Sequence, residues 1–231
     1  MKYDPAEYSL DTEAPATIVP IVLDLFPATK SVIDFGCGAG IWLKNFKDNG
    51  VEEIFGLDGD WYNKDLLFKH INEDEFKNVD LETLIHLDKV YDLVVSLEVA
   101  EHISEQSADI FVQSLVNAGK IILFSAAMPG QGGYNHINEQ FPSYWANKFK
   151  QHGYKSYDII RRKIWNKSNV EIWYRQNMFI VAHNSVNMNY EETEILSLYH
   201  PDTLQYIEQG RRGIMFYSRL LLKSVINKFK K

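Results

Sequence analysis

One cysteine, Cys37, stands in 231 residues. It excludes an internal disulfide framework and fits a reducing compartment. The chain also lacks a basic start followed by an apolar run. Residues 1–14 carry Asp4, Glu7, Asp11 and Glu13, the opposite of a secretory leader. No stretch approaches the roughly 20 uninterrupted apolar residues that a spanning helix needs. A cytoplasmic protein is therefore expected. Basic residues are few and badly distributed. Seven lie between Arg211 and Lys231, leaving 17 against 31 acidic residues in the rest of the chain. An acidic body makes an extended nucleic-acid partner unlikely on electrostatic grounds, because a duplex needs basic contacts to its phosphates. Internal repeats and low-complexity linkers are absent as well.

What remains is an ordinary globular composition, 45% hydrophobic and 24% charged, long enough for one α/β domain with a full core. Apolar runs alternate with longer mixed segments, which predicts βαβ units and a mostly parallel sheet. Strands are expected at 31–35, 53–57, 77–79, 91–97 and 120–125, with two late ones at 154–161 and 177–183. The last of these is a candidate for an antiparallel edge pair. Helices are expected at 14–25, 39–49, 64–70, from Ser104 as N-cap to about 118, and at 139–152. Residues 1–185 form the predicted domain. Residues 186–231 form a helical extension with an amphipathic basic tail.

The stretch Asp34-Phe35-Gly36-Cys37-Gly38-Ala39-Gly40 follows an apolar strand and opens a helix. Glycines let a ligand lie against bare backbone, and a helix start supplies free N–H groups. A nicotinamide fingerprint would need glycine at position 41, which is Ile41. An acid in the turn suits a cationic ligand better than a pyrophosphate. Asp58 closes the second strand, where a carboxylate can accept bonds from both ribose hydroxyls. Gly59 follows it. Asp80 and Leu81 are candidate neighbours of an adenine. Trp61 either covers the adenine or ribose, or packs beside it.

As a set, Asp34 to Gly40, Asp58, Asp80-Leu81 and Tyr91 to Ser96 resemble the ordered motifs of class I S-adenosylmethionine-dependent methyltransferases. The resemblance covers about residues 28–126. It implies a Rossmann-like α/β sheet, mostly parallel with an antiparallel edge strand, flanked by helices. It also implies S-adenosyl-L-methionine as cofactor, held by Asp34, Gly36, Cys37, Gly38, Gly40, Asp58, Gly59, Trp61, Asp80, Leu81 and Leu97.

After the fourth strand comes Glu98-Val99-Ala100-Glu101-His102. Spacing i, i+3, i+4 would put Glu98, Glu101 and His102 on one side of a helical turn. Close carboxylates repel unless a proton or cation lies between them. Two oxygens and an imidazole suit a divalent ion and leave Mg, Mn and Zn open. The E-x-x-E-H pattern resembles ubiquinone-type O-methyltransferases and small-RNA 3′-terminal 2′-O-methyltransferases. Carried over from the latter, Glu98, Glu101 and His102 would be metal ligands, with His136 as the fourth. A metal-free reading has His102 as a base or as a cover over the cofactor, and a structural reading has the cluster only packing.

The glycine-rich stretch from Pro129 to Gln140 is the most polar loop beside the predicted sheet edge. It is a candidate lid, and His136, Asn138, Glu139 and Gln140 offer donors and acceptors for a hydroxyl-rich ligand. Alternatively, Asn138 and Glu139 only begin a helix. With Phe141 to Trp145 the loop resembles bacterial methyltransferases of polysaccharide and glycan assembly. The expected reaction is O-methylation of a sugar hydroxyl, with His102, His136 and Glu101 as the catalytic group. A phenol, a terminal RNA ribose and an inactive cofactor-binding partner subunit are the alternatives. In the tail, Leu221, Val225 and Phe229 share an apolar side with Leu222 and Ile226. That pattern suits a membrane surface or packing in a homodimer.

Overall fold

The computed structural model describes residues 12–60, 63–193 and 197–211. Its elements run α1 (Glu13–Leu25), β1 (Ser31–Phe35), α2 (Ile41–Asp48), β2 (Glu53–Asp58), α3 (Lys64–Leu67), β3 (Phe76–Asn78), β4 (Leu93–Leu97), α4 (Ala108–Ala118), β5 (Ile121–Ser125), α5 (Pro142–Gln151), β6 (Tyr154–Tyr157), α6 (Ile160–Ile164), α7 (Ile172–Asn177), β7 (Phe179–His183) and α8 (Pro201–Arg211). The seven strands form one sheet in the order β3-β2-β1-β4-β5-β7-β6. The first five are parallel, and β7 runs antiparallel to both β5 and β6. This is the Rossmann-like sheet expected, and the antiparallel β7–β6 pair closes one end of it.

The central strands are apolar on both faces because helices cover both faces. Alternation along each strand sorts residues between two cores. Val32, Leu93, Val95 and Leu123 face α1 and α2. Ile33, Phe35, Val94, Ile122 and Phe124 face α4 and α5. Strand order reverses between β1 and β4. Connections leave β1 and β4 toward opposite sides there, which opens a crevice at their carboxyl ends. The glycine turn and Glu98 lie at those two ends.

Several boundaries differ from the sequence-based reading. Ser104 makes no side-chain cap; a 3₁₀ turn, Glu105–Ser107, precedes α4. The helix expected from residue 139 starts at Pro142, since proline suits a first helical position and Glu139 is engaged in the loop. Strand β6 stops at Tyr157. Beyond it Arg161 turns inward, 1% exposed, to a bidentate pair with Asp158 at 2.8 Å through both Nε and Nη2, and this pair anchors α6. The segment after 185 is tied to the body: Thr193 N–H donates to Ser156 O, and Gln176 bonds both Leu198 O and His200 N–H. The tail helix expected at 211–229 lies, beyond Arg211, outside the described residues. No described helix is long and apolar enough to cross a membrane.

Candidate active site

At the β1 end the chain turns sharply. Gly36 has φ +85°, and a Cβ there would lie 2.4 Å from Val99 Cγ2; only glycine fits. Gly40 begins α2 with φ +74°. The turn is fastened by Gly36 and Cys37 N–H groups donating to Leu57 O at 2.7 and 3.1 Å. Asp58 Oδ2 accepts Gly38 N–H at 2.6 Å and Oδ1 accepts Gly59 N–H at 2.7 Å. Those bonds fix the carboxylate at the crevice. From α3 and its end, His70 Nδ1 donates to Ala39 O at 2.7 Å, and Leu67 packs beneath Gly40.

Asp34 is 3% exposed. Burial, then the neighbouring Asp58, hold its carboxyl well above the ordinary range. A buried acid beside a second acid suits a cationic ligand group, so this crevice fits the sulfonium and amino group of S-adenosylmethionine. Cys37 contributes no thiol to it. Its side chain is buried in the core against the site of Gly56, and its N–H is already used. Leu81 and Leu97 are buried. Asp80 is exposed and accepts Glu82 N–H at 2.9 Å. Trp61 lies outside the described residues.

At the β4 end the turn differs from a helical one. Glu98 has φ +54°, and only Ala100–His102 form a 3₁₀ turn. The left-handed step at Glu98 breaks the helical turn assumed by the i, i+3 spacing, and Glu98 lies outside the trio whose ligand atoms converge, although its charge still acts on Glu101. Glu101, His102 and His136 do come together, each offering a ligand atom within 4.8 Å of the others. The two imidazoles meet edge to face at 4.9 Å between centroids. His102 Nδ1 donates to Asn135 O at 3.1 Å, and His136 Nδ1 to Glu139 Oε1 at 3.0 Å. With Nδ1 of each ring tied, the lone pair of each Nε2 is presented. Burial lowers the His102 imidazole, which favours its neutral form.

Glu101 is fully buried, and neither carboxyl oxygen meets hydrogen-bond geometry with a described residue, the backbone N–H groups of Glu101 and Ala127 acting on it only weakly. Its nearest opposite number is His136 Nε2, 3.9 Å from Oε1. Burial, then Glu98, push its carboxyl well above the ordinary range. A buried carboxylate without partners is costly. With two imidazole lone pairs beside it, the donor set fits a divalent cation.

The loop over this cluster is organised by Glu139, whose carboxylate accepts Gly130 N–H at 2.8 Å, Gly132 N–H at 2.6 Å and the His136 imidazole. Glu139 is therefore the hub of the loop and not a helix residue. The backbone O of Glu101 accepts Ile137 and Asn138 N–H at 2.9 and 3.0 Å, which pins the loop to the turn below. Gly133 lies so close to His136 that a Cβ would meet Nε2 at 2.2 Å. Three further residues were missed by sequence reading. Gln131, Asn177 and Tyr174 surround Glu98, two of them from α7, whose existence the sequence pattern did not suggest.

The fold and the glycine turn define the class I S-adenosylmethionine-dependent methyltransferase architecture. A family model described as a methyltransferase domain matches residues 10–173, and the chain belongs to that family. It is an S-adenosylmethionine-dependent methyltransferase. No curated protein sequence matches it significantly. Solved structures do. The methyltransferase domain of bacterial CtHen1-C shares 19% identity at a TM-score of 0.55, over 76% of this chain and 100% of that one. SAM-bound CalS10, an amino pentose methyltransferase from Micromonospora echinaspora, shares 12% at 0.59, over 80% and 98%. DesVI from Streptomyces venezuelae shares 14% at 0.56, over 79% and 100%. At these identities the likeness is one of fold.

Proposed function

We propose that this methyltransferase acts on oxygen, on a sugar hydroxyl of a glycan or glycan precursor. The observation that carries the reading is Glu101, buried with neither oxygen in hydrogen-bond geometry with a described residue and faced by two histidines whose Nδ1 atoms are both engaged. S-adenosylmethionine supplies the methyl group. Asp34 and Asp58 orient it, with Asp58 at the ribose side and Asp34 near the cationic end. A hydroxyl donor in the cleft would meet acceptors at Glu101 and at Nε2 of His102 or His136. Without a metal, neutral His102 can take the hydroxyl proton at Nε2 as a general base. Glu101, His102 and His136 would hold a divalent cation, and such an ion would lower the hydroxyl pKa much further than an imidazole alone. Of the polar loop residues, Asn138, whose buried Nδ2 has no partner among the described residues, supports a hydroxyl-rich acceptor, while Glu139 is taken up by the loop itself. The basic amphipathic sequence at 211–231 supports contact with a membrane bearing a lipid-linked glycan.

The test is S-adenosylhomocysteine release with simple methyl glycosides, catechol, an amino sugar and a short RNA, each with and without strong chelation. O-methylated glycoside, lost on chelation and restored by Mn²⁺ or Mg²⁺, is expected. Turnover indifferent to chelation would overturn the metal component; turnover confined to the amine would overturn O-methylation. An N-methylated amino sugar is the second reading. It is favoured by two proteins of similar fold, described as an amino pentose methyltransferase and a sugar N-methyltransferase.

A further inference from the structure

Glu98 occupies a backbone position that glycine would favour, φ +54°, at a strand end beside the cluster. Strain of that kind persists only where the surroundings hold it. Its N–H donates to both Ser125 O and Ser125 Oγ at 3.1 Å. Its carboxylate is gripped by two amides. Gln131 Nε2, from the glycine-rich loop, donates to Oε2 at 2.9 Å, and Asn177 Nδ2, from the end of α7, lies 3.3 and 3.5 Å from the two oxygens. The amides also bind each other, Asn177 Nδ2 donating to Gln131 Oε1 at 2.8 Å. The three side chains thus close a ring of hydrogen bonds joining β4, the loop and α7. Asn177 is 1% exposed, so its partners are not readily replaced by water.

We propose that Glu98, Gln131 and Asn177 form a latch that holds the loop 129–140 over the Glu101–His102–His136 cluster, with Gln131 and Asn177 as positioning residues. The loop carries His136, and its hydrogen bonds from Glu139 to its own glycines and His136, with the Glu101 and Ala127 carbonyls, and from His102 to Asn135 O do not involve α7. Among the described hydrogen bonds, those of Gln131 with Glu98 and Asn177 join the loop to α7. Opening for acceptor entry then requires parting Gln131 from Glu98. This role rests on neither a metal nor a particular acceptor.

A charge swap tests it, because the ring is invertible. In Asn177→Asp two carboxylates face each other. In the double variant Glu98→Gln with Asn177→Asp, rotation of the Gln131 amide restores all three bonds: Gln131 donates to Asp, and the new Gln donates to both. The readout is hydrogen exchange on the full chain with S-adenosylhomocysteine bound, at the hydrogen-bonded amides of Gly130, Gln131, Gly132, Ile137 and Asn138. Asn177→Asp should exchange roughly ten- to a hundredfold faster there, the span expected from losing charge-assisted bonds. Amides of β4 and β5 serve as the internal reference for global unfolding. The double variant should return to within a fewfold of wild type. Gln131→Ala should speed the same loop amides and spare α7. Unchanged loop exchange in both Asn177→Asp and Gln131→Ala would overturn the latch. So would a double variant no better than Asn177→Asp.

Discussion

The two ends of the crevice hold their acids differently. At the cofactor end, Asp58 is fixed by Gly38 and Gly59 N–H groups. That end is largely built by the fold itself, with a fastened backbone ready for a ligand. At the proposed acceptor end, Glu101 is buried with neither oxygen in hydrogen-bond geometry with a described residue, while Nδ1 of each neighbouring histidine is tied. There the scaffold is complete and the functional atoms are not. The difference is the signature of a site finished by what binds, and it makes the two ends respond differently to substitution.

The largest effect should come from Glu101→Gln. The isosteric change removes the negative charge and leaves the shape. Transfer should fall by about 10²–10⁴-fold, the range for losing a positioned proton-handling group. The melting temperature of the ligand-free protein should hold or rise, since no buried acid remains at that position. A melting temperature lowered by more than about 5 °C, roughly a 1–2.5 kcal/mol effect for a chain of this length, would assign Glu101 to structure. Next comes Gly36→Ala. It meets Val99 and a left-handed φ at once, so it should cost about 2–6 kcal/mol in denaturant unfolding, strain and overpacking each contributing about 1–3. An unfolding midpoint unmoved by this substitution would mean that the turn is not held as described.

Gly133→Ala separates the ends more finely. Its new Cβ would displace the His136 ring, yet it lies far along the chain from the glycine turn. Transfer should drop about tenfold, a modest misplacement of a reacting group. S-adenosylhomocysteine affinity by calorimetry should stay within twofold. Equal loss of both would show that the loop shapes the cofactor end as well.

The same asymmetry governed what could be read from sequence. β1 is legible to the residue, because Ser31 to Phe35 is an apolar run bounded by glycine-rich chemistry. The cofactor acids follow from strand ends, which local pattern reveals. Glu101, His102 and His136 were also legible as residue types, and the fold brings them together. Glu98 follows no helical spacing, which says nothing about a left-handed step at φ +54°, and it stands outside the convergent trio. Cys37 was read as a cofactor neighbour because it sits in the turn; its side chain goes to the core over Gly56. Asn177 and Tyr174 carried no local signal. Helix α7 is short and its role comes from packing 79 residues along the chain from Glu98, which only tertiary structure supplies.

The smallest effect, and the one that sharpens the comparison in a single titration, is on stability against pH. Asp34 has a folded carboxyl raised by burial and by Asp58. Above that raised value both folded and unfolded states are ionised, and the folded state bears the burial cost. As pH falls through it, the folded form takes a proton while the unfolded form stays ionised until near pH 4. Ligand-free protein should therefore gain stability across that window. Asp92 works in the opposite direction. Burial opposes its ionisation, but the N–H groups of Lys30 and Ser31 and the Ser31 hydroxyl, at 2.9–3.0 Å, outweigh it and lower the carboxyl. Its contribution is present above the ordinary value and is lost as pH falls through the lowered one. Asp34→Asn should thus melt above wild type at neutral pH, with the gap closing toward pH 4, whereas Asp92→Asn should melt below it at neutral pH, with that gap closing only at lower pH. Melting curves of the two variants and wild type from pH 7 to 3 decide it. A constant gap for Asp34→Asn would mean that its carboxyl is not strained by burial, and that the cofactor end is as fully satisfied without ligand as Asp58 alone suggests.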